Sequence, residues 1–132
     1  MKLPLPALLL PIICLLAQQV FAQIPAFPGA EGFGAHATGG RGGDVYTVSN
    51  LNSSGSGSFS DAIATAPAQG RTIVFAVSGY IPITGSYLDL RKSNITIAGQ
   101  TAPGDGIGLR NSAFRIFGTN TIVRHVRFRH GV

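Results

Sequence analysis

Asn94-Ile-Thr-Ile97 recurs as Asn120-Thr-Ile-Val123 at a spacing of 26 residues, and the run Thr72-Ile-Val-Phe-Ala-Val77 precedes Ile95 by 23. This recurrence constrains the fold more than any other feature of the chain. A period of about 20 to 30 residues, built from short β-branched runs, is the spacing of a solenoid. After Pro67 the runs "RTIVFAVSGYIPI", "NITIAGQT", "GIGLR", "FRIFGT" and "NTIVRHVRFRHG" are separated by Gly, Asn, Ser or Pro, and none has helical periodicity. In a right-handed parallel β-helix each coil adds a few short strands, which stack on those of the coil before and turn Ile, Val, Leu and Phe into a narrow core. Asn suits the bends because it tolerates left-handed backbone and its amide can bond the neighbouring coil. A β-sandwich would give similar strands, but hairpin signals are scarce, Asp105-Gly106 being the clear case. The fold class read from the residues is therefore all-β, a parallel β-helix.

The segment before the repeats differs in character. Phe27 to Gly43, "FPGAEGFGAHATGGRGG", holds seven glycines in seventeen residues. Gly32-Phe-Gly34-Ala-His-Ala37 fits a loose dinucleotide pattern, yet no strand precedes it and no helix opens from it. A Walker A loop needs a Lys after the glycines, and none follows Gly39-Gly40. The glycines then serve backbone that turns tightly or runs close to other backbone, with His36 and Arg41 structural, and the segment is expected at the blunt end of the helix. Val45-Tyr-Thr-Val48 reads as a strand, "NLNSSGSG" as a turn, and Ser58 to Ala66 as a short helix with Ser58 as N-cap and Asp61 in the first turn. Pro67 ends it. The chain divides into residues 1–22, 23–70 (loop, strand and capping helix) and 71–132 (first coils).

Residues 1–22 combine Lys2, an apolar run from Leu8 to Ala17 broken only by Pro11, and Val20-Phe-Ala22. This is the pattern of a secretory signal cleaved between Ala22 and Gln23; the run is too short for a membrane anchor, and Ile13 argues against lipidation of Cys14. The expected destination is secreted or periplasmic, with no membrane span after removal. Cys14 is the only cysteine, so the mature chain of roughly 110 residues has no disulfide and no thiol chemistry. Without Lys2, nine Lys and Arg face five acids, about +4. From Arg110 onward there are five arginines, two histidines and no Asp or Glu. Outside the cytoplasm such a surface suits an acidic polysaccharide better than nucleic acid, or is simply a basic face with no partner.

Metal and nucleophile signatures are missing from the sequence. His36, His125 and His130 have no ligand partner at zinc spacing, and the acids Glu31, Asp44, Asp61, Asp89 and Asp105 are too scattered for calcium. Asp89 and Asp105 read as turn residues. No Gly-x-Ser-x-Gly sits between a strand and a helix, and no two acids suggest a glycosidase pair. Arginines are left. Alternation along the last run sets Arg127 and Arg129 opposite Val126 and Phe128, so the arginines face outward, where their forked guanidinium groups could meet sugar or protein carboxylates. They are the candidate substrate-binding residues; the alternative is that they pair with acids on missing coils.

Taken together, "FPGAEGFGAHATGGRGGDVYTVSNLNSSGSGSFSDAI", "RTIVFAVSGYI", "NITIAGQTAPGDGIGLR" and "NTIVRHVRFRHG" resemble the N-terminal part of secreted bacterial pectate lyases of polysaccharide lyase family 1, over about Phe27 to Gly131. Gly108 departs from that pattern, since relatives often carry a larger residue there, such as cysteine. The resemblance implies a right-handed pectin lyase-like β-helix, of which this chain is the N-terminal cap and first coils. It also implies Ca²⁺-assisted β-elimination of polygalacturonate, with an arginine as base and a monomeric enzyme. The family's calcium ligands and base lie in motifs that do not occur before Val132, so the catalytic residues are expected beyond it and the piece itself is expected to be inactive. A non-catalytic β-helical glycan-binding or adhesin module is the alternative, and a short standalone structural domain a third reading.

Overall fold

The computed structural model describes residues 22–131. The segment read as a signal lies outside the described residues except for Ala22, which is exposed beside an exposed Gln23. β1 (Asp44–Val48) is followed by α1 (Phe59–Ala64) and then by eight short strands. These are β2 (Arg71–Phe75), β3 (Gly79–Pro82), β4 (Tyr87–Leu90), β5 (Ile95–Ala98), β6 (Ile107–Arg110), β7 (Ala113–Ile116), β8 (Thr121–Arg124) and β9 (Val126–Arg129). Every pairing is parallel. The strands form three sheets ordered β1-β2-β5-β8, β3-β6-β9 and β4-β7. From β2 onward successive strands thus enter different sheets, and each sheet is rejoined one coil later. That is a parallel β-helix. Asp105-Gly106 makes no hairpin: it lies in the loop between β5 and β6, which belong to different sheets.

The register explains the repeats. Ile95 pairs with Thr121, which is the 26-residue spacing of the two asparagine runs. Between β2 and β5 the spacing is 24, Thr72 opposite Thr96, and not the 23 that aligns Thr72 with Ile95. One residue matters, because a slip of one exchanges the two faces of a strand. Ile73, Ile97 and Val123 consequently stack inward, as do Ile81, Leu109 and Phe128 on the second sheet. Two long β runs contain two strands each: Ala76 to Ser78 separate β2 from β3, and His125 alone separates β8 from β9 at φ 54°. Strand β4 carried no clear sequence signal, since Asp89 interrupts its apolar pattern.

The core runs along the helix axis through Val48, Ile73, Phe75, Ile81, Leu90, Ile95, Ile97, Ile107 and Leu109, all buried. Helix α1 packs against β1 and β4 and buries Phe59, Ala62 and Ile63 at the start of that core. Ser58 caps it, accepting the Asp61 amide at 3.1 Å. Phe59 joins Phe75 (centroids 5.9 Å) to Phe114 (5.7 Å), and Phe114 stacks on Phe128 (6.2 Å, 8°), giving an aromatic column through three coils. Phe128, the last member, is 54% exposed.

The glycine segment does not sit at the blunt end. It crosses the outer face of the first sheet, from the third coil back to the first. The Thr38 and Gly39 amides donate to Asn120 Oδ1 at 2.8 and 3.1 Å, and the Gly40 amide donates to Thr96 Oγ1 at 2.9 Å. A Cβ on Gly40 would come within 2.1 Å of the Arg71 carbonyl oxygen, and one on Gly43 within 1.9 Å of that of Gly70. Only glycine permits that approach, whatever the backbone angle. Ile122 belongs to an outward row yet is buried, because this strap lies over it. Asn94 and Asn120 adopt left-handed backbone at φ 61° and 54°, and the Asn120 amide donates to Asn94 Oδ1 at 2.8 Å. An asparagine ladder therefore ties two coils together and anchors the strap.

Candidate substrate-binding face

The outer face of the second sheet carries two registered rows. One is Tyr80, Gly108 and Arg127; the other is Pro82, Arg110 and Arg129. Alternation sets Val126 and Phe128 on the opposite, inward side, with Val126 packed against the core. Arg127 is half-buried, its guanidinium 5.1 Å from the Tyr80 ring centroid. Arg129 is exposed in register with Arg110, which is also exposed. Like charges in register repel, so an anion bridging them gains more than it would at a single arginine. Among the described residues none of these three arginines has a carboxylate within ion-pair distance.

A different arginine, Arg115, pairs with an acid on the neighbouring coil. Its Nε and Nη2 donate to both oxygens of Asp89 at 2.7 and 3.0 Å, across exactly the 26 residues that separate the asparagines. Asp89 thus sits inside β4 and is no turn residue; the guanidinium opposite is what makes a carboxylate tolerable in a strand. Arg91 adds a further bond at 2.6 Å. Hydrogen bonds from Arg115, and secondarily from Arg91, hold the Asp89 carboxyl below its ordinary range, and Asp89 in turn raises Arg115. Arg115 lies 3.3 Å from the Tyr87 centroid and 5.3 Å from that of Phe117, both rings half exposed. This mixed aromatic and charged strip on the third sheet escaped sequence reasoning. The spacing of Asp89 and Arg115 was the signal that could have found it.

A second carboxylate is committed in the same way. Arg71, only 7% exposed, donates to Asp44 from Nε and Nη2 at 2.8 and 2.7 Å. Its Nη1 reaches the Ala62 carbonyl and Thr65 Oγ1, at 2.9 and 2.7 Å. The Arg71 hydrogen bond lowers the Asp44 pKa, and Asp44 raises that of Arg71. Tyr46 donates to Asp61 at 2.5 Å, which raises its phenol above the ordinary value. Arg71, Asp44, Tyr46 and Asp61 together lash α1 to the first sheet.

Calcium needs several clustered oxygen ligands. Among the described residues no three of His, Cys, Asp and Glu come together as a metal site. With Asp44 and Asp89 held by guanidinium groups and Asp61 by a phenol, the residues present do not fit a calcium ion. His36 and Arg41 lie in the strap, His36 exposed and Arg41 donating to the Pro25 carbonyl at 3.1 Å. No helix of the described residues is long and apolar enough to cross a membrane.

No family model matches the chain. Among curated proteins it is similar to several fungal proteins named "Probable pectate lyase C". It is 47% identical to that of Aspergillus flavus over 121 residues, 91% of this chain and 28% of the relative. The Neosartorya fischeri protein is 47% identical over 132 residues, 99% of this chain and 30% of the relative. That of Emericella nidulans is 50% identical over 107 residues, 80% of this chain and 24% of the relative. These relatives are fungal, whereas the motifs had suggested bacterial enzymes. Over most of its length, the chain is similar to a portion of fungal probable pectate lyases, and it spans less than a third of each.

Proposed function

We propose that this chain forms the cap and first coils of an exported pectate lyase of polysaccharide lyase family 1, acting on polygalacturonate by β-elimination. The observation that carries this reading is the 47% identity over 91% of the chain, joined to a parallel β-helix. The β-helix scaffold offers a long flank on which a polymer can lie, and the outward arginines supply cations for its carboxylates. Arg127 and Arg129 bind substrate and take no part in breaking the bond. The described residues gather no calcium site, so this reading assigns the ligands of the calcium implied by the resemblance, and the base, to other coils. This chain alone is then inactive. Incubation of the purified chain with polygalacturonate and Ca²⁺ should give no unsaturated-uronate absorbance; its appearance would overturn the assignment of the catalytic groups.

Residues 1–22 act as an export signal, residues 23–70 as the cap, and 71–132 as coils of a monomer delivered outside the cytoplasm. N-terminal sequencing of the exported protein should begin at Gln23; an intact Met1 or a different start would refute the signal. The committed state of Asp44 and Asp89 favours a second reading, a non-catalytic glycan-binding module. The two diverge in the coding sequence after Val132, where the lyase needs clustered acids on successive coils followed by an arginine motif.

A further inference from the structure

The row of Tyr80, Gly108 and Arg127 contains a gap that a side chain fills from a neighbouring coil. A Cβ on Gly108 would stand 2.6 and 2.7 Å from two ring carbons of Tyr80, and 3.0 Å from the Arg127 carbonyl oxygen. The Tyr80 ring therefore lies down across the second coil, in the place a Gly108 side chain would occupy. There it reaches the guanidinium of Arg127 on the third coil, 5.1 Å from ring centroid to guanidinium carbon. A flexible arginine is thus restrained by an aromatic face two coils away.

The restrained arginine borders a cleft of about 470 Å³. The cleft exists because the loop from Gly99 to Gly106 projects from the second coil, whereas the third coil turns at the same place through His125 alone. Its polar lining is Gln100, Asp105, His125 and Arg127, with Ile107 and Val126 as apolar floor. Arg127 can take the carboxylate of one sugar residue, and Gln100 and Asp105 can accept or donate hydrogen bonds to its hydroxyls.

We propose that this cleft binds a uronate residue of an acidic saccharide, its carboxylate on Arg127 and its hydroxyls toward Gln100 and Asp105, with Tyr80 as the positioning residue that fixes Arg127 in advance. The saccharide class rests on the pectate lyase reading. Arg127 is thereby separated from Arg129: both face outward, but only Arg127 is preorganised and lines a concave site. Preorganisation is worth roughly a three- to ten-fold gain in affinity, the cost of immobilising one such side chain.

Titration calorimetry on the full chain with trigalacturonate and with neutral trigalactose tests this. Wild-type chain should bind the acidic trisaccharide and discriminate against the neutral one. Tyr80→Leu, Gly108→Ala and Arg127→Lys should each weaken binding by roughly three- to ten-fold, with Tyr80→Phe close to wild type. Because Gly108→Ala acts mainly by displacing the ring, adding it to Tyr80→Leu should cost less than it costs alone. Unfolding midpoints of the variants separate loss of binding from loss of fold. Unchanged affinity in a folded Tyr80→Leu chain, equal binding of the neutral sugar, or no binding by wild type overturns the inference. Each of those outcomes leaves the lyase reading standing if the longer protein cleaves polygalacturonate. Tyr80-dependent binding without cleavage by the longer protein would sink the lyase reading alone.

Discussion

Asp44 and Asp89 show how a handful of charges is spent in a β-helix. Both were legible in the sequence as acids, but not as partners, because Arg71 and Arg115 stand 27 and 26 residues away. Their folded-state pKa values are lowered, so both carboxylates bind protons less readily when folded than when unfolded. The stability they contribute is present above the ordinary carboxylate range and is lost as pH falls through that range and below it. Thermal midpoints should therefore drop on acidification from pH 5 toward about pH 2. Asp44→Asn should be less stable at neutral pH, since Arg71 stays buried with its charge uncompensated, and should show a shallower acid decline. An equally steep decline in that variant would show that the pair does not govern the acid limb.

The elements were readable in proportion to how local their causes are. The Ser58-capped helix, and the outward placement of Arg127 and Arg129, follow from residues a few positions apart. The break at His125 and strand β4 do not. The first needs a left-handed residue that is neither Gly nor Asn, and the second needs an aspartate whose cation arrives one coil later. The ladder asparagines were legible as bend residues, but Asn120 does more than turn the chain. Its side chain accepts from two strap amides and donates to Thr38 Oγ1 (2.6 Å) and Asn94 Oδ1. Asn120→Ala removes all of these and places a Cβ-bearing, non-bonding residue at φ 54°. We expect a loss of about 2–4 kcal/mol by urea unfolding. Asn120→Gly relieves only the backbone and should recover about 1 kcal/mol. Equal losses in the two variants would mean that the backbone angle contributes nothing.

At the scale of the whole molecule, the period legible in the sequence was enough to give the solenoid, because repeats of short strands have few other ways to bury their apolar faces. The strap's path was hidden. Glycine count alone cannot say which surface the backbone approaches, and the expected place at the blunt end gives way to the outer face of the first sheet. Its real course joins Thr38 to Asn120, a separation of 82 residues. As the chain leaves a ribosome or an export channel, the strap emerges before any of the nine strands, yet its docking site is completed only when β8 has been laid down. A segment made before every strand is then secured only once the third coil has begun, and slow, non-local closure of this kind limits folding speed. Pulsed hydrogen exchange during refolding should find the Thr38 and Gly39 amides protected after those of Ile73 and Ile97. Until that moment Ile122 stays open to solvent, and the half-built solenoid offers a sticky side to whatever stands beside it.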